Sequence, residues 1–445
     1  MSSNMLLIGK SGAAAARSAL ELTAQNIANS TNENYARRAL GLSEVASTGG
    51  IGLSGSAALS GVRADRVTRT EALFLQNEAR RTGADLARSE TVLTGLRNVE
   101  SAIEQAGIYP ALVGFEAALS ELASDPLDGA LRANAVESAR TLTLTFAIAT
   151  NGMDVATEEL QFDAADGVNR INTISAELAR TNVGLARAEA GSSNKAALLD
   201  RRDSLLRDMS AIAGIRTQFD DIGRVAVRMS GSAAPQMVLG SASAQLAMQT
   251  MPDRTLRFSV GGRETSLEAG TLAGQANALA SIVPHRVSLD DAARLLISRA
   301  NDSQAAGITP AGAAAAPFFS GNNARSILLA IGDGSQIATA PAGSGLNSRD
   351  TRNLDEMRAS LASGGPAEAL DSLLFTLSSG IEGRTITRDA MQTIADTAAV
   401  ALSAETGVDL DMEAANLVRF QQAFQASGRV IQTAADIFDT ILGIR

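Results

Sequence analysis

The chain has 445 residues, room for two or three domains with sizeable cores, and its 3% aromatic content leaves Ala, Leu, Ile and Val to build them. With no Cys and a single His, His285, it has no disulfide framework, no thiol nucleophile and no thiolate or multi-histidine metal site. A net charge of −10 without a basic stripe argues against nucleic-acid binding, which needs cations to neutralise phosphate.

The opening MSSNMLLIGKSG holds an apolar run too short for a signal peptide or a membrane span, so any export is expected to use another route. Leu6, Ala13, Ala16, Leu20 and Ile27 share a three-four helical phase, with small residues between them that let a second helix come close. The stripe stops at the polar NIANSTNENYARR, Asn26 to Arg38, where Asn34 suits a tight reversal with positive φ. In the Gly-rich run from Gly49 to Arg63, Gly50, Gly52 and Gly55 formally match a dinucleotide-binding spacing. No apolar strand precedes them and no helix opens directly after, so hairpin turns are the better reading.

From Thr70 to Ala106 the helical pattern returns, with Ala72, Leu75, Ala79, Leu86, Leu93, Leu96 and Ile103 on one seam. A loop at Gly107 to Pro110 and a turn at Ser124-Asp125-Pro126 bound a shorter helix. Leu160, Ala164, Ile171, Ile174, Leu178 and Leu185 then mark one or two long helices of a bundle, ended by a Gly-Ser break at 191–193. At Ile215 the period changes to two: RTQFDDIGRVAVRM reads as a hairpin about Asp-Ile-Gly, and RFSVGGRETSL as another about Gly261-Gly262. A helix is expected from Ser288 to Gln304, with His285 a loop residue before it, then a strand at 327–331 and a linker of Gly, Ser and Pro at 332–348. Helical spacing resumes near Asp355 with breaks at Gly364-Gly365 and Gly383.

The last stretch, Glu413 to Arg445, carries Leu417, Phe420, Phe424, Ile431, Ala434, Phe438 and Ile441 in alternating steps of three and four, with Ser427 the one polar residue in the series. Such a seam needs a partner, and the N-terminal stripe supplies one. In residues 1–40 the cations Lys10, Arg17, Arg37 and Arg38 outnumber Glu21 and Glu33 by two, and in 409–445 the acids outnumber the arginines by two, so charge favours their pairing.

The expected fold is mostly α with a β-rich insert: an elongated multi-domain rod with paired N- and C-terminal coiled-coil helices, a long helical bundle and an outer β domain. Its expected domains are an N-terminal axial helix (1–45), the first part of the bundle (46–213), the outer β-rich domain (214–285), a returning helix with short strand and linker (286–347), the second part of the bundle (348–409) and the C-terminal axial helix (410–445).

SGAAAARSAL with NIANSTNENYARR resembles the N-terminal signature of the flagellar axial family of rod, hook and hook-associated proteins, which usually has Gly where this chain has Asn34. The end, TGVDLDMEAANLVRFQQAFQASGRVIQTAADIFDTILGIR, resembles the hook-associated members in particular, with Leu417-Val418-Arg419-Phe420-Gln421-Gln422 the discriminating run. LLDRRDSLLRDMSAIAGIRTQFDDIGRVAVRM at 198–229, the pair Phe318-Phe319 and SRDTRN at 348–353 are similar to the same members.

The resemblance implies a secreted structural protein without an active site or cofactor, exported unfolded through the flagellar type III channel and polymerising at the distal end of the hook as the hook-filament junction. It implies as partners further copies of the chain, the hook protein, a second hook-associated junction protein and an export chaperone, and neither nucleic acid nor membrane. The seam residues of both ends would form the assembly interface. The alternatives are another axial protein (hook or distal rod) or a secreted helical adhesin or effector. A glycosidase would need two carboxylates flanking a cleft, and Glu158-Glu159, Asp220-Asp221 and Asp290-Asp291 read better as solvated helix faces or turns.

Overall fold

Long runs of Ala and Leu at helical spacing, with few residues that interrupt them, give a chain that is mostly helix with a strand-bearing insert, as expected. The computed structural model describes residues 2–32, 34–44, 61–230 and 235–442, without the side chains of Ser2, Ser3, Ile441 and Leu442. In order, the elements are α1 (Ser2–Ala28), β1 (Arg38–Glu44), β2 (Val62–Arg69), α2 (Leu73–Ala106), α3 (Ile108–Ser124), α4 (Gly129–Arg187), α5 (Ser193–Ile212), β3 (Ile215–Phe219), β4 (Val225–Met229), β5 (Gln236–Leu239), β6 (Ala242–Ser243), β7 (Leu246–Thr250), β8 (Leu256–Val260) and β9 (Arg263–Thr265). They continue with α6 (Thr271–Ala306), β10 (Gly307–Ile308), β11 (Phe319–Ser320), β12 (Leu328–Leu329), β13 (Ala340–Pro341), α7 (Arg352–Ala362), α8 (Pro366–Thr406) and α9 (Leu410–Leu442). The chain forms two compact units, one of residues 1–84, 170–246 and 392–445, the other of 85–169 and 247–391.

In the first unit β3, β4, β5 and β6 make a four-stranded antiparallel sheet. Its first turn is the expected Asp-Ile-Gly: Asp220 Oδ1 accepts the N–H of Ile222 at 3.2 Å and of Arg224 at 2.8 Å, and Gly223 takes the positive φ of 89° that a side chain would resist. Asn182, buried on α4, ties helix to sheet by accepting from Val225 N–H and donating to the carbonyls of Val225 and Gly240. β1 and β2 pair antiparallel with Arg38 directly opposite Arg69. Like charges in that position repel. The motif LLDRRDSLL resolves the conflict from α5: Asp200 accepts from Arg38 Nη2 at 2.5 Å and from Arg69 Nε at 2.7 Å, while Asp203 accepts from Arg69 Nη2 at 2.8 Å. Burial alone would lower the pKa of Arg69, but the Asp203 and Asp200 carboxylates more than offset it and leave it above the ordinary arginine value.

The second unit is built by helices that approach closely. A Cβ on Gly152 of α4 would lie 2.7 Å from Ala102 Cβ on α2, and one on Gly274 of α6 would lie 2.6 Å from Thr91 Cβ and 2.8 Å from the Arg88 carbonyl oxygen. Phe318 and Phe319 are buried edge-on against Phe115 of α3, with centroids 5.7 and 5.9 Å away. Gly274→Ala should therefore destabilise the unit by about 1–3 kcal/mol through overpacking, although alanine is the better helix former by about 1 kcal/mol. Gly114→Ala on α3, where a Cβ meets nothing, should stabilise instead. Urea unfolding of both variants checks this, and shifts of the same sign would contradict the close packing.

Four expectations are corrected. The β-rich stretch was expected to reach 285, yet α6 already begins at Thr271 and runs through Pro284; His285 is thus a half-buried helix residue whose pKa burial lowers, not a loop residue. The two expected hairpins fall in different sheets: β3–β6 make a four-stranded one, and β7, β8 and β9 a separate three-stranded one. The stretch at 332–348 is no linker. It holds a 3-10 turn (Gly334–Gln336), and Ile337, Ala338, Thr339 and Ala340 are buried because Arg132 of α4 donates to the carbonyls of Gly334 (2.8 Å) and Ile337 (3.0 Å) and to Thr339 Oγ1 (3.0 Å). Gly383 does not break α8, which is continuous from Pro366 to Thr406. Residues Gly49 to Ser60, read as hairpin turns, lie outside the described residues.

Candidate assembly interface

Both terminal stripes become helices, and α1 and α9 pack against each other antiparallel: Gly9 faces Ile431 and Gly12 faces Ser427. Glycine at these two places lets the backbones close in, since a Cβ on Gly9 would sit 2.8 Å from Ile431 Cγ1 and 3.3 Å from the Ser427 carbonyl oxygen. The small polar Ser427 thus occupies the point of closest approach. A Cβ on Gly12 would lie 3.7 Å from Ser427 Cβ, the separation a disulfide requires. In a chain with no Cys of its own, Gly12→Cys with Ser427→Cys is expected to oxidise to an intrachain bridge. Quantitative thiol titration reads the outcome; two persistent free thiols would mean that the helices do not meet in this register.

The start of α9 is set by polar groups. Asp409 Oδ1 caps it, accepting from the N–H of Asp411 at 2.9 Å and of Met412 at 3.0 Å. Glu413, only 1% exposed, accepts from Arg37 Nε at 2.8 Å, and the Arg37 N–H donates to the Thr406 carbonyl at 2.9 Å. Next to Arg37, Asn26 closes the reversal after α1: its Nδ2 donates to the Arg38 carbonyl at 2.8 Å, and its Oδ1 accepts from Tyr35 Oη at 2.7 Å and from Arg38 N–H at 3.2 Å. Burial raises the pKa of Tyr35 despite the adjacent Arg38. The Asn34 N–H donates to Asn32 Oδ1 at 3.1 Å, and Asn34 Oδ1 accepts from Arg207 Nη1 at 2.7 Å. Sequence reading saw a polar reversal here but missed Asn26 and Glu413 as its fastenings.

Of the seam residues named from sequence, Ala16 and Ala434 are buried and Ala13, Leu20, Ile27, Leu417, Phe420 and Ile431 are half-buried. Leu6 is exposed, and the Ile441 side chain lies outside the described residues. The buried face of α1 runs instead along Ala15, Ala16, Ala19, Leu22, Thr23 and Asn26, a slight rotation from the expected stripe. Phe424 and Phe438 are 45% and 54% exposed on the α1–α9 pair. The antiparallel register set by Gly9–Ile431 and Gly12–Ser427 brings Phe438 opposite the first turn of α1. Met5, Leu6, Leu7 and Ile8 are all exposed as well, as are Val418, Val430 and Ile437. Monomeric proteins seldom leave apolar side chains exposed to this extent on one helix pair.

The other carboxylate clusters are accounted for locally: Asp290 accepts from Ala324 N–H, Asp220 shapes its turn, and Glu158 and Glu159 are exposed on α4, with Glu159 accepting from Asn98. Among the described residues no helix is long and apolar enough to cross a membrane.

Comparison with known proteins matches residues 93–319 to the family model of the flagellar hook-associated protein FlgK helical domain. Residues 403–444 match the model of the flagellar basal body rod FlgEFG protein C-terminal region. No curated protein matches the sequence. Among solved structures, the flagellar hook junction protein FlgK from Burkholderia pseudomallei superposes with a TM-score of 0.50 at 24% identity, over 55% of this chain and 46% of that one. The chain thus spans about half the length of that relative, and the likeness is one of fold.

Proposed function

Because the chain belongs to the family of the flagellar hook-associated protein FlgK, we propose that it is a structural protein of the bacterial flagellum that polymerises at the distal end of the hook and forms the hook-filament junction. The observation that carries the proposal is the α1–α9 pair, whose apolar residues are exposed on more than one side and call for neighbouring copies. Its partners in this reading are further copies of the chain, the hook protein, a second hook-associated junction protein and an export chaperone. The chain reaches its site through the flagellar type III channel and is secreted to the flagellum. The seam residues Leu6, Ala13, Leu20, Ile27, Leu417, Phe420, Phe424, Ile431 and Phe438, together with Met5, Leu7, Ile8, Val418, Val430 and Ile437, form the assembly interface, while Ala16 and Ala434 hold the α1–α9 pair together, and the role involves no catalysis.

A hook or distal-rod protein would share the terminal helices, and the rod C-terminal match at 403–444 reflects that. The hook-associated match at 93–319 favours the junction. Negative-stain images of the purified chain mixed with hook fragments separate the two: a cap of added density at one end is expected, whereas continuous extension of the hook, or no addition by a folded chain, overturns the reading.

A further inference from the structure

Asp154 of α4, 8% exposed, sits in the second unit among three arginines from three different elements. Its Oδ1 accepts from Arg254 Nη1 at 2.6 Å and from Arg286 Nη2 at 2.5 Å, and its Oδ2 pairs with Arg325. Arg254 lies in the turn between β7 and β8, Arg286 in α6, and Arg325 in the loop between β11 and β12. One carboxylate cannot satisfy three guanidinium groups, each of which carries five N–H donors. Asp290 acts on Arg286 from the next turn of α6, and Asp253, next to Arg254, turns its carboxylate to Thr255, so Asp154 and Asp290 are the two carboxylates set against the three arginines. Burial and then the charge of Arg254 hold Arg286 below the usual arginine pKa; the left-handed φ of Arg254, 68°, belongs to its turn, where its N–H donates to the Met251 carbonyl at 2.8 Å. Such an arrangement is poor as a purely internal fastening, and Arg254 and Arg325 remain open to solvent.

A chain with a net charge of −10 repels its own copies, so self-association needs local sites of surplus positive charge that face a neighbour's acidic surface. We propose that Arg254, Arg286 and Arg325 around Asp154 form a docking site for surface carboxylates of a second copy of this chain. This inference rests on the polymerisation reading and adds to it a contact away from the terminal helices.

The test adds the full-length chain to hook fragments and measures, by sedimentation, the concentration giving half-maximal addition. Arg254→Glu with Arg325→Glu should raise that concentration about tenfold and flatten its dependence on sodium chloride, while Arg254→Lys with Arg325→Lys should change it less than about threefold. Arg254→Gln with Arg325→Gln, intermediate in effect and required to melt like the parent chain, guards against misfolding. If the parent chain does not add to hooks, the polymerisation reading falls and this inference with it. If it adds and the Glu and Gln variants add at the same concentration, this inference alone is overturned. Inorganic phosphate at constant ionic strength should compete with addition. Phosphate that saturably raises the melting temperature without weakening addition would identify a free-anion site and overturn docking by a second copy.

Discussion

Asp200→Asn is expected to destabilise the first unit by about 3–5 kcal/mol, the range for removing one partner from a buried ion pair. The side chain accepts charged hydrogen bonds from Arg38 and Arg69, which the β1–β2 register places directly opposite each other and which are both nearly buried. Asparagine keeps the shape but loses the charge, so two guanidinium groups face each other with Asp203, itself shared with Arg202, and the more distant Glu71 to offset them. The failure should be local at first: the β1–β2 hairpin leaves α5, and amides of 38–44 and 62–69 lose hydrogen-exchange protection before the rest of the unit. Replacing Arg38 and Asp200 together by Met and Leu should recover part of the loss, since apolar side chains need no partner in that position. Urea unfolding followed by far-ultraviolet dichroism measures the first effect. A change below about 1 kcal/mol would show that the pairings are no stronger than exposed ones.

The strongly periodic helices were legible before any coordinates: of the seam placed on α4 from spacing alone, Leu160, Ala164, Ile171, Leu178 and Leu185 are buried and Ile174 is half-buried. The short breaks around Gly191 and Gly364 also fall where expected, because Gly and Ser end a helix locally. Pro284 misled for the same local reason. It reads as a boundary, but burial of Leu279, Ile282 and Leu289 on either side holds α6 together across it. Burial of Ile337 to Ala340 was invisible because its cause, Arg132, lies some two hundred residues earlier, and composition carries no such pairing. The candidate interface was half legible. Large apolar residues marked the face of α9, but on α1 the stripe consists mostly of alanine, and a helix with Ala on several sides gives little contrast by which to fix its rotation. The link from Glu413 to Arg37 joins opposite ends of the chain, so periodicity could suggest that the ends meet but not which polar groups fasten them.

Phe424→Asp and Phe438→Asp are expected to abolish assembly while leaving the isolated chain folded. Both rings are about half exposed on the α1–α9 pair, so in the single chain a carboxylate there stays in water and costs little. Once a neighbouring copy covers the same position, the carboxylate is buried without a partner, at a cost of several kcal/mol, more than one seam contact returns. Ala434→Asp gives the opposite pattern: Ala434 is buried between the paired helices, and the same charge there disrupts α1–α9 packing before any neighbour arrives. The two kinds of variant therefore separate an assembly face from a packing face by where the damage appears. The measurements are the melting temperature of the monomer and the retention of filaments in motile cells. The Phe variants should melt within about 2 °C of the parent chain, because surface changes stay within about 0.5 kcal/mol. Cells carrying them should shed filaments into the medium. Ala434→Asp should lose hydrogen-exchange protection along both terminal helices as well as function. Retained filaments in the Phe variants would show that Phe424 and Phe438 face solvent in the assembled flagellum and that the interface lies elsewhere on the pair. A lowered melting temperature would mean that the two rings already contribute to the folded monomer.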